Sequence, residues 1–271
     1  MKRIMAIILS VLLCTNLAGC LGGLKFPRDS KETSAQSDQS SATNKGETTT
    51  SEKQTTQGQI DGDMTASDGY SAYLDAKNEM LGYLMDGLGD NEETFMAVME
   101  LAGITMMDLT MLPVSFFGLG QTAVGAGLAV LGMKDVKYEE NGNSYTVAYK
   151  NDEGETFIFS GEYNRSADAL SCKSQKNGQD FLYAEYQRTD YGYVGQYHIT
   201  EDDGGMISYL ITVQDDGGVL GIAHDASYKK LTGGEKSDYP KECDVWYAVS
   251  GNNITGVTED GKELDFTFSK D

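Results

Sequence analysis

From Val136 onward, apolar residues recur at every second position, and glycine beside Asn or Asp fills the breaks between runs. No other feature constrains the fold as much. Alternation turns one side of a strand to a core and the other away from it. The runs are Tyr145–Tyr149, Phe157 with Phe159, Phe181–Tyr186, Tyr193–Ile199, Ile207–Val213, Val245–Val249 and Leu264–Phe268. The breaks are Asn141-Gly142, Asn151–Gly154, Lys176–Gly178, Asp202–Gly205, Asp215–Gly218 and Asp260-Gly261. Asn-Gly and Asp-Gly pairs accept the positive φ of tight hairpin turns, so the 32 glycines against 3 prolines read as turn chemistry. About ten strands at ~8–12 residue intervals are predicted. Such short turns leave no room for crossover helices, so the sheet is expected to be antiparallel and largely a meander. Only the interval 226–242 is too long for a hairpin.

Upstream, over 70–133, the period changes to three and four. Tyr70, Tyr73, Leu74, Leu81, Leu84, Met85 and Leu88 form a helical stripe, with Ser67 or Asp68 to cap its start and Gly87 and Gly89 to end it. Asp90–Glu93 opens a second helix, whose apolar face is read as Phe95, Val98, Met99, Ala102, Met106, Leu109 and Leu112. Pro113 breaks that helix, because it lacks an amide donor. Leu109–Met133 carries no charge and is long enough to span a bilayer of ~20 residues. Pro113, five glycines and Gln121 interrupt it, so a buried core helix is the preferred reading and a membrane-inserted one the alternative. The fold class is therefore α+β in a single domain, 70–271. N-terminal apolar helices pack on a large antiparallel β-meander sheet over 136–271, with a curved half-barrel as one form of it.

The chain before residue 70 is of another kind. Lys25–Gly69 is rich in Ser, Thr and Gln, and no large aliphatic or aromatic residue lies between Pro27 and Gln59. Such a stretch cannot bury enough apolar surface to offset its conformational entropy. It is read as a disordered tether over 20–69, spanning on the order of 35–40 Å as a coil. Ahead of it, Lys2 and Arg3, the apolar run Ile4–Leu13 and then Leu17-Ala18-Gly19-Cys20 follow the order of an export signal. Leu-Ala-Gly-Cys resembles the lipobox of bacterial lipoproteins. The resemblance covers residues 1–20 alone. It implies cleavage of a signal peptide over 1–19, acylation of Cys20, and a protein held by lipid on the extracytoplasmic face of the cell membrane. The long tether favours a Gram-positive surface.

Chemistry-bearing motifs are scarce. The net charge of −21 disfavours nucleic acid, whose phosphates require clustered Lys and Arg. Phosphate-loop, nucleophile-elbow and zincin patterns are absent, and no catalytic, cofactor-binding or metal-ligating residue is assigned. Asp61, Asp63, Thr65 and Ser67 alternate as calcium ligands do, but Ala66 and Ala72 stand where such a loop needs Gly and Glu. His198 and His224, each alone on a strand, read as surface or satisfied residues. Cys172 and Cys243, the cysteines of the folded part, are candidates for a disulfide or for two buried thiols. The many tyrosines are read as strand residues and the methionines as core filling. The functional expectation is a lipid-anchored, non-catalytic domain that binds or senses an extracytoplasmic ligand or protein. The alternatives are a carrier of lipid or another hydrophobic ligand, and a carboxylate-dependent hydrolase.

Overall fold

A computed structural model describes residues 64–89, 94–201, 204–224 and 227–269. The predicted signal sequence, Cys20 and the stretch read as a tether up to residue 63 lie outside the described residues, as does the predicted helix start at Asp90–Glu93. The described residues form an α+β fold: three α-helices and an eleven-stranded antiparallel sheet.

Helix α1 spans Ala66–Gly89, α2 spans Phe95–Thr110, a 3-10 turn follows at Leu112–Phe116, and α3 spans Gly120–Val130. The first helix begins inside the stretch read as tether. Its start is fixed by Thr65 rather than by Ser67 or Asp68 alone. The Thr65 hydroxyl accepts from the Asp68 N–H at 3.1 Å, and the Asp68 carboxylate accepts from the Thr65 N–H at 3.1 Å. This reciprocal arrangement satisfies two amides that a helix start leaves unpaired. The region 109–133 is broken by the 3-10 turn at Pro113, and no described helix is long and apolar enough to cross a membrane.

The strands are β1 (Lys134–Asn141), β2 (Ser144–Lys150), β3 (Thr156–Asn164), β4 (Ala169–Lys176), β5 (Gln179–Arg188), β6 (Tyr193–Thr200), β7 (Met206–Gln214), β8 (Gly217–His224), β9 (Val245–Ser250), β10 (Asn253–Val257) and β11 (Glu263–Thr267). They pair strictly in chain order, each antiparallel to the next, as the short turns demand. In the β4–β5 hairpin, Asn177 and Gly178 both take positive φ (52° and 81°), the geometry that matches the twist of the flanking strands.

One face of the sheet meets α1. Ala66, Tyr70, Tyr73, Lys77, Met80, Leu84 and Leu88 are buried on one helical stripe. The Tyr73 ring stacks on Tyr186 of β5 at 4.6 Å and lies directly over Gly195 of β6. A Cβ at Gly195 would stand 2.1 Å from the Tyr73 hydroxyl, so only glycine admits the ring there. The opposite face of β5–β9 is covered by the segment 227–244, the one long connection, which includes a 3-10 turn at Tyr239–Glu242. Covered on both faces, β6 and β8 are buried at six consecutive positions each.

The second helix departs from its predicted facing. Ala97, Leu101 and Ile104 are the buried residues of α2. Phe95 and Leu109, assigned to its inner face, are exposed. The helix is apolar nearly all round, so periodicity could not choose between two usable stripes.

Candidate functional site

The face under 227–244 differs in chemistry from the helix-covered one. Glu185 of β5, Gln196 and His198 of β6, and Ser208 and Thr212 of β7 are all buried polar residues directed to it. Three of them fasten the covering segment, which acts as a strap. The Leu231 N–H donates to Glu185 Oε1 at 2.7 Å. Gln196 Nε2 donates to the Lys229 carbonyl at 2.6 Å. The Thr212 hydroxyl donates to the Ser237 carbonyl at 2.6 Å. Tyr183 donates to Glu185 Oε2 at 3.0 Å and accepts from Tyr228 of the strap at 2.7 Å. Burial, with the neighbouring Tyr228 and Glu185, raises the Tyr183 phenol above its ordinary value.

Between strap and sheet lies a cavity of about 300 Å³, the lower end of the size range of small-ligand sites. Gln196, His198, Ser208, Tyr239, Glu242 and Asp244 are among its lining residues. Two buried polar atoms of its lining residues have no protein partner: Gln196 Oε1 and His198 Nε2. The Gln196 amide orientation follows from its neighbours. Its nitrogen faces two acceptors, the Glu185 carboxylate and the Lys229 carbonyl, which leaves the oxygen as the unused acceptor. His198 Nδ1 is 2.7 Å from Ser208 Oγ, so Nε2 is left over in either tautomer. Burial lowers the His198 pKa from 6.5 to about 4, so the ring is neutral near pH 7. Native interiors leave few such atoms without partners, and each one calls for an explanation.

The Ser208–His198 pair resembles part of a nucleophile–base arrangement, but the geometry stops there. Ser208 stands mid-strand, paired to His198 on one side and Ala223 on the other, so its N–H belongs to the sheet ladder. It offers no backbone donor for an oxyanion, and His198 Nε2 has no group to orient it. The arrangement can hold a polar ligand.

The second buried polar group sits on the helix side. Lys77 of α1, fully buried, contacts Asp108 of α2 and donates to the Tyr197 hydroxyl at 3.0 Å, while Tyr197 donates to Asp108 at 2.9 Å. Burial is the main cause that lowers the Lys77 pKa, and Asp108 opposes it. This triangle ties two helices to the sheet. It opens on none of the cavities described here.

The two cysteines do not form the disulfide held open above. Both are free and buried. Cys172 of β4 belongs to the core on the helix side. Cys243 ends the strap's 3-10 turn and packs against Gly221 on the other face. A sheet therefore separates them. Burial pushes the Cys172 thiol up to about 12 and the Cys243 thiol to about 11. Cys20 lies outside the described residues.

His198 was visible in the sequence as a lone strand histidine. Its partner Ser208 and the paired role of Gln196 were not, since a cross-strand register ten residues apart and a distant strap bring them together. Lys77 left a clearer trace, because it falls on the apolar stripe of α1 between Tyr73 and Met80. Among the described residues, no cluster of His, Cys, Asp and Glu could hold a metal ion. No protein-family model, curated protein or solved structure matches this chain.

Proposed function

We propose that the chain is a bacterial lipoprotein, acylated at Cys20 and held on the extracytoplasmic face of the cell membrane, as on a Gram-positive surface. Its folded part acts as a non-catalytic binding domain. The helices pack on the concave face of a curved half-barrel, and the ligand sits on the opposite face, under the strap. One observation carries the binding reading: Gln196 Oε1 and His198 Nε2 are buried and unpartnered, and both belong to residues that line one cavity. An unused acceptor on a residue of a cavity that Glu242 and Asp244 also line suits a small solute with amine or hydroxyl donors.

Glucosamine, spermidine and glycerol, titrated separately, serve as probes in an NMR experiment on the ring nitrogens of His198. Binding shifts Nε2, and Gln196→Leu raises the Kd read from that shift by roughly tenfold, the effect of about 1.4 kcal/mol at a hydrogen bond. An unmoved imidazole with all three probes overturns the binding reading. The anchor is tested separately. Cys20→Ala should abolish metabolic labelling by palmitate, and persistent labelling refutes the assignment.

A further inference from the structure

The outer face of α2 is unlike the rest of this acidic protein. Phe95 is 64% exposed, Met96 65% and Leu109 55%, with Met99, Ala102 and Met106 half-buried between them. Between Thr94 and Met133 the only charged residues are Glu100 and Asp108. Both are engaged by tyrosines of the sheet. Tyr247 donates to Glu100 at 2.7 Å, and Asp108 is held by Tyr197 and Lys77. The helix therefore offers an apolar, uncharged surface on a chain of net charge −21. Isolated exposed apolar residues need no explanation, but a contiguous neutral face marks an interaction site.

The occupant follows from the path of the chain and from charge. The segment leading from Cys20 enters the described fold at the start of α1. There Ser67 donates through its N–H to the Phe117 carbonyl at 3.1 Å and through its hydroxyl to the Ser115 carbonyl at 2.6 Å. Ser115 belongs to the 3-10 turn that continues from the Leu109 end of α2. The entry point thus lies near the Leu109 end of the apolar face. Pairing two copies through this face would bring two strongly acidic bodies together, which their mutual repulsion opposes. A lipid surface without net charge carries no such penalty, and insertion of apolar side chains at its interface scales with the apolar area they bury.

We infer that α2 seats its Phe95–Met96–Leu109 face on the surface of the bilayer that holds the anchor. This inference rests on the lipoprotein reading. With no Lys or Arg on the face, the contact requires neither anionic lipid nor low salt.

The test uses the full chain in phosphatidylcholine vesicles with a nitroxide on Met96→Cys. Cys172 and Cys243 are buried and an acylated Cys20 has no free thiol, so the label goes to residue 96. The exposed sheet position Lys173→Cys is the control. Seating gives residue 96 a several-fold higher ratio of oxygen to nickel-chelate accessibility than residue 173, unchanged by 0.5 M salt in phosphatidylcholine and lowered by added phosphatidylglycerol, whose charge repels the acidic body. Equal ratios overturn the inference, and so does dipolar broadening between labels, which reports a second copy on the face. The mass of the mature protein reports acyl chains on Cys20 independently. If acylation is present and the ratios are equal, the anchor stands and the seating fails. If acylation is absent, the anchor reading fails, and the chain with Cys14→Ser and Cys20→Ser, labelled at residue 96 and added to vesicles, still decides the seating by the same ratio.

Discussion

The most consequential single residue of the interior is Lys77. A fully buried ammonium is tolerable only because Asp108 and Tyr197 surround it. Lys77→Met leaves Asp108 beside an apolar neighbour and should cost about 3–5 kcal/mol of stability in urea unfolding. Lys77→Met with Asp108→Leu removes both charges and should recover most of that loss, because a well-packed apolar pair avoids the desolvation of two ions. Additive losses would mean the two residues act independently. His198 makes a prediction in pH. Its folded pKa of about 4 lies below the ordinary 6.5, so the unfolded chain binds the extra proton first. The stability contributed by the neutral ring is complete above about pH 6.5 and declines as pH falls toward 4. The slope is at most about 1.4 kcal/mol per pH unit for one group, and smaller where water reaches the ring. In His198→Gln this part of the pH dependence should vanish, whatever the variant's stability at pH 7. An unchanged slope from pH 6.5 to 4 would place the titration elsewhere. Neither environment follows from local pattern alone. The stripe locates Lys77 on the inner side of α1, but its acid comes from another helix and its phenol from a strand far along the chain.

At the scale of elements, the strands were the most legible part. Alternation and Asn-Gly or Asp-Gly turns are local, and a two-residue turn permits only the next strand as partner. Hence the meander order could be read directly. The strap was legible only as an interval too long for a hairpin, because its seat depends on Glu185, Gln196 and Thr212 from three different strands. The facing of α2 was misread for a physical reason: both its stripes are apolar, and the choice was made by the partners of Glu100 and Asp108. Those two carboxylates turn the helix so that Ala97, Leu101 and Ile104 go inward. Leu101→Ala should therefore cost about 2–5 kcal/mol, the penalty of a cavity in a packed core. Phe95→Glu should change stability by no more than about 0.5 kcal/mol, as a surface substitution does. Chemical denaturation of both variants checks the assignment, and the reverse ranking would restore the facing drawn from periodicity.

For the molecule as a whole, the sheet order creates a problem that the sequence also solves. An open meander of eleven strands ends in two edges, β1 and β11, whose outward backbone groups can template another chain; on β1 one of them, the Tyr138 N–H, is taken by Gln121 Oε1 of α3 at 2.9 Å. Both edges are guarded by charge. The first strand reads Lys-Asp-Val-Lys-Tyr-Glu-Glu-Asn, and its pairing with β2 is interrupted by a register shift between Lys134 and Lys137. The last strand is only five residues long and exposes Glu263 and Asp265. These devices discourage edge-to-edge pairing by desolvation and like-charge repulsion, and the overall charge of −21 adds to the effect. Replacing Glu263 and Asp265 together by Val removes the charges at β11 and raises its strand propensity without touching the core, since Leu264 is the buried residue between them. The variant should fold as the parent does, with circular dichroism unchanged. It should also self-associate with rising concentration, and more strongly in high salt, where repulsion between the remaining acids is screened. Light scattering coupled to size exclusion measures this. If the doubly substituted chain keeps the parent's mass at every concentration and salt level, the edge is protected by something other than these two carboxylates.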